Sequence, residues 1–332
     1  MSNKDIKSQS TKEMVMDILS RGEGKYISGE SISENLGISR ASVWKHINSL
    51  KKEGFDIESK SGRGYILKGK TNNTLNIYEI KRNLNSKFIG QKIGYFESID
   101  STNIYASKIA DKSPEGTVII ADEQTSGKGR IGRKWFSKNG IYFSVILKPE
   151  IELARVSFLT QLAGAALVVA LKNVGVDVKI KWPNDIILNG KKIAGILTEM
   201  SAELDRIFYV VVGVGINLYN QEFDDEIREK ATSLLKEGYS INKEKILQEF
   251  FKEFEIMYQD FLCNKKERVL EILREKSAVI GKEIYIISLV KSKKARALDI
   301  DSYGNLKLLL ENGEYETVFT GEISIRGLES YI

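Results

Sequence analysis

The hydrophobic period of this 332-residue chain changes twice along its length, and each change demands a different kind of element. Residues 11–69 carry helical spacing and close with two short alternating runs. Residues 75–277 interleave strand-like and helix-like runs, whereas 278–332 hold only short strand-like runs. Length alone suggests two or three domains at ~150 residues each. The expected architecture is therefore α+β and multidomain, with domains at 1–70, 75–277 and 278–332. Polar residues 70–74 read as a linker.

In the first segment, Met14, Val15, Ile18 and Leu19 predict a helix over Thr11–Ser20. Ser31–Leu36 forms a second, ended by Gly37. Ser39 caps a third, Arg40–Glu53, which stops at Gly54. Val43, Ile47 and Leu50 make its apolar stripe, and Arg40, Ser42, Lys45, His46 and Ser49 lie off it. Phe55–Glu58 and Gly64–Leu67 follow as strands joined by Ser59–Arg63. This is the order of a winged helix–turn–helix, whose third helix enters a major groove. Arg40, Ser42, Lys45, His46 and, on the wing, Arg63 are the candidate DNA-binding residues. Charge agrees: residues 1–70 hold 13 Lys/Arg against 9 Asp/Glu, while the other 262 hold 37 against 36. A small helical protein-interaction module is the other use of such a fold.

The middle segment predicts strands at Ile93–Phe96, Thr117–Ala121, Ile141–Leu147, Lys179–Trp182 and Phe208–Val214. It predicts helices at Thr102–Ala110, Arg155–Val174 and Lys243–Cys263. The very apolar Val156–Val174 reads as a buried helix, because Ser157, Thr160, Gln161, Gly164 and Lys172 interrupt it. In the last segment five short runs, at Ile284–Ile287, Ala295–Ile300, Leu306–Leu310, Glu314–Phe319 and Ile323–Ile325, suggest a small β-barrel.

Chemistry concentrates in four places. Glu123–Trp135 contains Gly127, Gly129 and Gly132 in G-x-G-x-x-G spacing, but no helix opens after Gly132, so a dinucleotide fingerprint is rejected. A flexible loop with four cations remains: Lys128, Arg130, Arg133 and Lys134, suited to phosphate or carboxylate. Around Lys181–Leu197, Asn189-Gly190 predicts a two-residue hairpin. Its register pairs Leu188 with Lys191, Ile187 with Lys192, Ile186 with Ile193 and Asp185 with Ala194. Asp185 and Lys192 then share a face, flanking one small ligand or forming a plain surface ion pair. Gly213-Val214-Gly215-Ile216-Asn217 ends a strand with room for close ligand approach. Asp100-Ser101-Thr102-Asn103 is a helix cap with free N–H donors. Residues 219–231 read as a ligand-side loop or a surface turn. One cysteine, Cys263, and one histidine, His46, exclude an intrachain disulfide, a cysteine-rich zinc site and His-based catalysis in the middle segment. MSNKDIKSQS lacks the apolar core of a signal peptide, so the expected location is cytoplasmic.

Taken jointly, Ser101-Thr102-Asn103, Gln124 with Gly127–Trp135, Lys181–Asp185 with Lys192–Gly195, Gly213–Asn217 and Gly321-Glu322-Ile323-Ser324 resemble the bifunctional biotin protein ligases that also repress the biotin operon. The resemblance implies a class II aminoacyl-tRNA synthetase-like mixed sheet with helices, followed by an SH3-like C-terminal β-barrel. It implies formation of biotinyl-5′-AMP from biotin and ATP, with Mg2+. Biotin then passes to a lysine of biotin carboxyl carrier protein. Biotin-binding positions would be Ser101, Thr102, Asn103, Gln124, Lys128, Gly129, Arg130 and Lys192. The nucleotide or adenylate would meet Gly127, Arg133, Trp135, Lys181, Asn184, Asp185 and Asn217. Lys192, Arg130 and Asp185 would be catalytic, with Asp185 near magnesium. Lys128 departs from the arginine of many members, keeping charge but not the two-pronged fork. Operator DNA of biotin genes, the carrier protein and, with adenylate bound, a second copy of the chain are the implied partners; no membrane is. A biotin-sensing repressor without ligase turnover and a lipoate–protein ligase are the alternatives.

Overall fold

The structure is a computed structural model describing residues 10–332, apart from 23, 53, 71–74, 136–137, 205, 288–291, 320–323, 328–330 and 332. The chain divides into two compact units, residues 1–82 and 83–332. The expected linker at 71–74, the helix end at Glu53 and the Gly321–Ile323 part of the last motif lie outside the described residues.

The first unit comprises α1 (Thr11–Arg21), α2 (Gly29–Leu36), α3 (Arg40–Lys52), β1 (Phe55–Lys60), β2 (Gly64–Lys70) and α4 (Ile77–Arg82). The first three helices start where a serine side chain takes up a free N–H: Ser10 with Glu13 in a reciprocal capping box, Ser28 on Ser31, and Ser39 on Ser42 at 3.1 Å; Asn76 does the same for α4. Gly37 ends α2 at φ +63°, a left-handed turn open to glycine. Val15, Met16, Leu19, Ile32, Val43, Ile47, Leu50, Phe55 and Ile57 form one buried core. The unit reaches to Arg82 because α4 belongs to this core: Tyr78 meets Phe55 edge-on at 5.6 Å, and Lys81 pairs with Glu13 at 2.7 Å.

The second unit begins with β3 (Ile93–Ile99), α5 (Thr102–Ile109), β4 (Val118–Gln124), β5 (Gly140–Leu147) and α6 (Ser157–Asn173). β6 (Lys179–Lys181), β7 (Asp185–Leu188), β8 (Lys191–Glu203), β9 (Arg206–Asn217), α7 (Lys243–Leu262) and α8 (Glu267–Glu275) follow. Seven strands form one mixed sheet in the order β3-β4-β5-β9-β8-β7-β6. Only β3 and β4 run parallel among its described pairs, and α5 is the crossover between them. β5 is buried along its whole length, in keeping with an apolar run broken only by Ser144. The segment Leu153–Asn173 is long and apolar enough to cross a membrane by length and composition. Twelve residues of α6, including Phe158, Leu159, Leu162, Leu167 and Leu171, are nonetheless buried inside the protein, as the sequence reading expected.

The unit ends in β10 (Glu283–Ile287), β11 (Ser292–Ile300), β12 (Leu306–Leu310), β13 (Tyr315–Val318) and β14 (Ser324–Gly327). These form an antiparallel five-stranded sheet in the order β13-β12-β11-β10-β14. Both sheets lie in one compact unit because buried donors on α6 and just after β6 find an acceptor in the turn between β11 and β12. Gln161 Nε2 and Trp182 Nε1 both donate to Gly304 O, at 2.6 and 2.9 Å. A Cβ at Gly304 (φ +86°) would stand 2.1 Å from Gln161 Oε1, so the junction admits only glycine.

The β7–β8 hairpin corrects one expectation. Leu188 faces Lys191 and Ile187 faces Lys192 as predicted, but Ile186 faces Ala194 and Asp185 faces Gly195. A bulge leaves Ile193 as the extra residue. Turn chemistry specified only the pairs next to the turn. Pairing of β8 with β9, where Ala194 faces Ile216 and Gly195 faces Gly215, sets the rest.

Candidate active site

A cavity of about 450 Å³ opens over the middle of the mixed sheet. Five elements meet there: the start of α5, the end of β4 with the following glycine loop, the β7–β8 hairpin, the end of β9, and residues 223–231. Parts of the C-terminal sheet region, Ile325, Arg326 and Tyr331, complete the wall.

One end is a wall of hydroxyl and amide groups. Ser101 caps α5, and Thr102, with both its N–H (2.8 Å) and its hydroxyl (3.1 Å), faces Gln124 Oε1. Ser144 Oγ lies 2.7 Å from Thr102 Oγ1 and 2.6 Å from Asn103 Oδ1. Asn103 Nδ2 donates to Glu199 Oε2 (2.7 Å) and Leu197 O (3.3 Å). Asn103 lies flat on Gly213, where an added Cβ would come within 2.0 Å of its Oδ1. This is why the strand exit carries glycine.

The other end gathers charge. Lys192 forms an ion pair with Asp185 and stands 4.9 Å over the Trp135 ring. The pair survives the bulge because Asp185 sits two residues before Ile187, the partner of Lys192, on one face of β7. Gly195, opposite Asp185, leaves the space that Lys192 and Trp135 fill; its Cβ would meet them at 3.0 and 2.9 Å. Gly215 does the same, its Cβ falling 2.7 Å from Trp135 Nε1. In the glycine loop, Gly129 N–H donates to Arg133 O (2.7 Å) and Trp135 N–H to Gly127 O (2.9 Å). Arg130 Nη1 reaches Asn184 Oδ1 at 3.0 Å, and Asn184 Nδ2 holds Ile196 O at 2.9 Å. Lys128, Arg133 and Lys134 line the cavity with exposed side chains, whereas Gly127 is not part of its wall.

Burial and charge work against each other here. Burial raises the Asp185 carboxyl, but Lys192, the Tyr331 hydroxyl and Lys181 outweigh it and hold the group below its ordinary value. Burial pulls the Lys181 ammonium down to about 7. Its Nζ donates to Tyr331 O at 2.8 Å and lies 3.3 Å above that ring. Desolvation also lowers Arg130, and it raises the Tyr331 phenol.

The cavity brings together every expected ligand residue except Gly127. Asn217 lines it but spends its Nδ2 on Thr232 O at 3.1 Å. The magnesium expectation finds no cluster: among the described residues, no three His, Cys, Asp or Glu side chains could share a metal ion. The two oxygens of Asp185 are engaged by Lys192 and Tyr331. The described residues therefore form no all-protein metal cage; an ion arriving with ATP would meet Asp185 as the carboxylate among the expected nucleotide residues. Sequence reading missed Ser144, Glu199, Arg326 and Tyr331, which reach the region from distant parts of the chain with no local signal. Of residues 219–231, Phe223, Glu226, Ile227, Lys230 and Ala231 line the cavity, and Lys192 N–H donates to Lys230 O at 2.8 Å.

In the first unit, Arg40, Lys45 and Arg63 are exposed and Ser42 and His46 half-buried. Trp44, beside them on α3, is 61% exposed and was missed.

Fold and cavity together define a protein-ligase class joined to a helix–turn–helix. The biotin/lipoate A/B protein ligase family matches residues 95–217, an HTH domain matches 12–66, and the biotin protein ligase C-terminal domain matches 279–326. The chain is 37% identical over 319 residues to the bifunctional ligase/repressor BirA of Bacillus subtilis, covering 94% of this chain and 97% of that one. It is 32% identical to BirA of Escherichia coli, covering 92% and 95%. The biotin protein ligase of Aquifex aeolicus, solved with biotin and ATP, superposes with TM-score 0.63 at 26% identity, over 71% of this chain and 99% of that one. The chain belongs to the bifunctional ligase/repressor BirA family.

Proposed function

We infer that the protein activates biotin with ATP, transfers it to a lysine of a biotin carrier protein, and represses biotin genes by binding operator DNA. The observation that carries the reading is convergence: Lys192, Arg130 and the loop cations share one cavity with a neutral hydroxyl–amide wall. A carboxylate and a triphosphate repel each other, and fixed cations between them stabilise the charge that develops as they join. In the first step the biotin carboxylate attacks the α-phosphorus and pyrophosphate leaves. In the second, the carrier lysine amine attacks the acyl carbon, releasing AMP and a proton. Neither step needs a His or Cys nucleophile; both need alignment. Magnesium is the usual ion of ATP and would supply charge neutralisation on its phosphates.

Ser101, Thr102, Asn103 and Gln124 suit the polar ring of biotin. Lys192, with Lys128, Gly129 and Arg130, suits its carboxylate and the adenylate. Arg133, Trp135, Lys181, Asn184, Asp185 and Asn217 fall on the nucleotide side. Lys192, Arg130 and Asp185 are the proposed catalytic group. Loop ordering over the adenylate shields a mixed anhydride from water and favours a homodimer, which matches two DNA half-sites. The N-terminal domain of the reading carries the DNA role, through Arg40, Ser42, Lys45, His46 and Arg63. The protein works in the cytoplasm.

The test is ATP–pyrophosphate exchange with biotin, followed by transfer to a carrier domain. Lys192→Ala retains the fold and loses most exchange. Adenylate formation without transfer would make the protein a sensor, and calorimetric preference for lipoate over biotin would make it a lipoate ligase.

A further inference from the structure

Glu199 stands outside the cavity wall, on β8, yet its carboxylate is tied into the polar end of the site through Asn103. We propose that Glu199 is a positioning residue for biotin: it sets the direction of hydrogen bonding along Asn103, Ser144 and Thr102, so that Thr102 offers the pocket an acceptor oxygen. The inference rests on the reading that this end of the cavity takes biotin.

The direction follows from donor and acceptor inventories. A carboxylate and a backbone carbonyl only accept. Glu199 Oε2 and Leu197 O, at 2.7 and 3.3 Å, therefore oblige Asn103 to turn its NH2 toward them. Its Oδ1 then faces Ser144 and can only accept, which commits the single Ser144 hydroxyl proton to that 2.6 Å contact. Ser144 Oγ must next accept across its 2.7 Å contact with Thr102, so the Thr102 proton is committed in turn. Gln124 Oε1 also stands 3.1 Å from Thr102 Oγ1, but the shorter Ser144 contact claims the hydroxyl proton, so Gln124 Oε1 keeps the Thr102 backbone N–H at 2.8 Å. What Thr102 Oγ1 has left for the cavity is a lone pair, the complement of a ureido N–H. Ser144 and Asn103 are 0% and 5% exposed, so no bulk water competes to reverse the order. Gly213 holds the amide in place from below.

Removing the acceptor at position 199 leaves only the longer 3.3 Å contact with Leu197 O to orient the Asn103 amide; the amide then flips more readily, and a flip turns each hydroxyl in the row. Calorimetry with biotin, paired with ATP-dependent pyrophosphate exchange, tests this. Glu199→Ala is expected to weaken biotin binding about tenfold, the scale of one hydrogen bond to the ligand lost. The KM for ATP at saturating biotin and the melting temperature should stay near wild type. Glu199→Gln, which keeps an acceptor oxygen, recovers most of the affinity. In the Asn103→Ala background, Glu199→Ala has no further effect. Wild-type biotin affinity in Glu199→Ala overturns the proposal, as does parallel loss of biotin affinity, ATP affinity and melting temperature. If the wild-type protein takes up no biotin, the functional reading fails instead.

Discussion

At the residue scale, the site depends on side chains that are missing as much as on those present. Gly195 and Gly215 make room for Trp135 and the Lys192 stem. Gly195→Ala is expected to cut pyrophosphate exchange by about tenfold or more while leaving the melting temperature within a few degrees, because its Cβ displaces the lysine rather than the core. Lys192 itself answers a buried carboxylate. Lys192→Ala removes the first of the groups that offset the burial of Asp185, leaving only the Tyr331 hydroxyl and Lys181, which costs about 3 kcal/mol in denaturant unfolding. Adding Asp185→Asn should return part of that loss; no recovery would mean that the pair carries little of the stability. Lys181 gives a pH signature. Its folded value of about 7 lies below the ordinary 10.5, so between those values the unfolded chain binds more protons. Stability therefore rises with pH across that window, and Lys181→Met flattens the rise. Identical pH slopes in the two proteins would count against a buried, proton-poor Lys181.

At the element scale, α3 shows how a short segment can be read locally. Its cap, its apolar stripe and the turn before it depend on neighbours within a few residues, so the expected start at Arg40 agrees with the structure. Ser39→Ala removes the cap and should cost about 1 kcal/mol of stability. Arg40→Ala and Lys45→Ala are expected to weaken operator binding across sequences and to lower the salt slope by about one each, the mark of phosphate contacts. An unchanged slope would take those side chains off the DNA. The β7–β8 hairpin shows the opposite case. Asn189-Gly190 determined the turn, yet the bulge at Ile193 was invisible, since it arises where β8 must also match β9. β9 runs beyond the expected Phe208–Val214, from Arg206 to Asn217, and β8 continues past the hairpin reading to Glu203, because pairing continues through polar residues once the register is set.

At the scale of the whole molecule, the boundaries lie where buried contacts place them. α4 joins the first unit through Tyr78 and Lys81. The C-terminal sheet shares a unit with the mixed sheet through Gly304, Arg274 and Tyr331; Arg274 donates to Ile300 O at 2.6 Å. A chain beginning at Asn83 is therefore expected to fold, form the adenylate and transfer biotin, while losing operator retardation in a gel-shift assay. Retardation that persists would remove the N-terminal unit from the DNA role.

Sequence alone determined the two changes of period, the caps, the hairpin turn, and the residue types that two mutually repelling anions require. These depend on neighbours a few positions apart, whose geometry the backbone dictates. Tertiary structure alone decided that Ser144, Glu199 and Tyr331 join the site, that Gly195 and Gly213 are clearances for particular side chains, and that Ile193 bulges. Those depend on distances between residues up to about 150 positions apart, such as Lys181 and Tyr331. Side-chain packing closes those distances, and no local pattern encodes them.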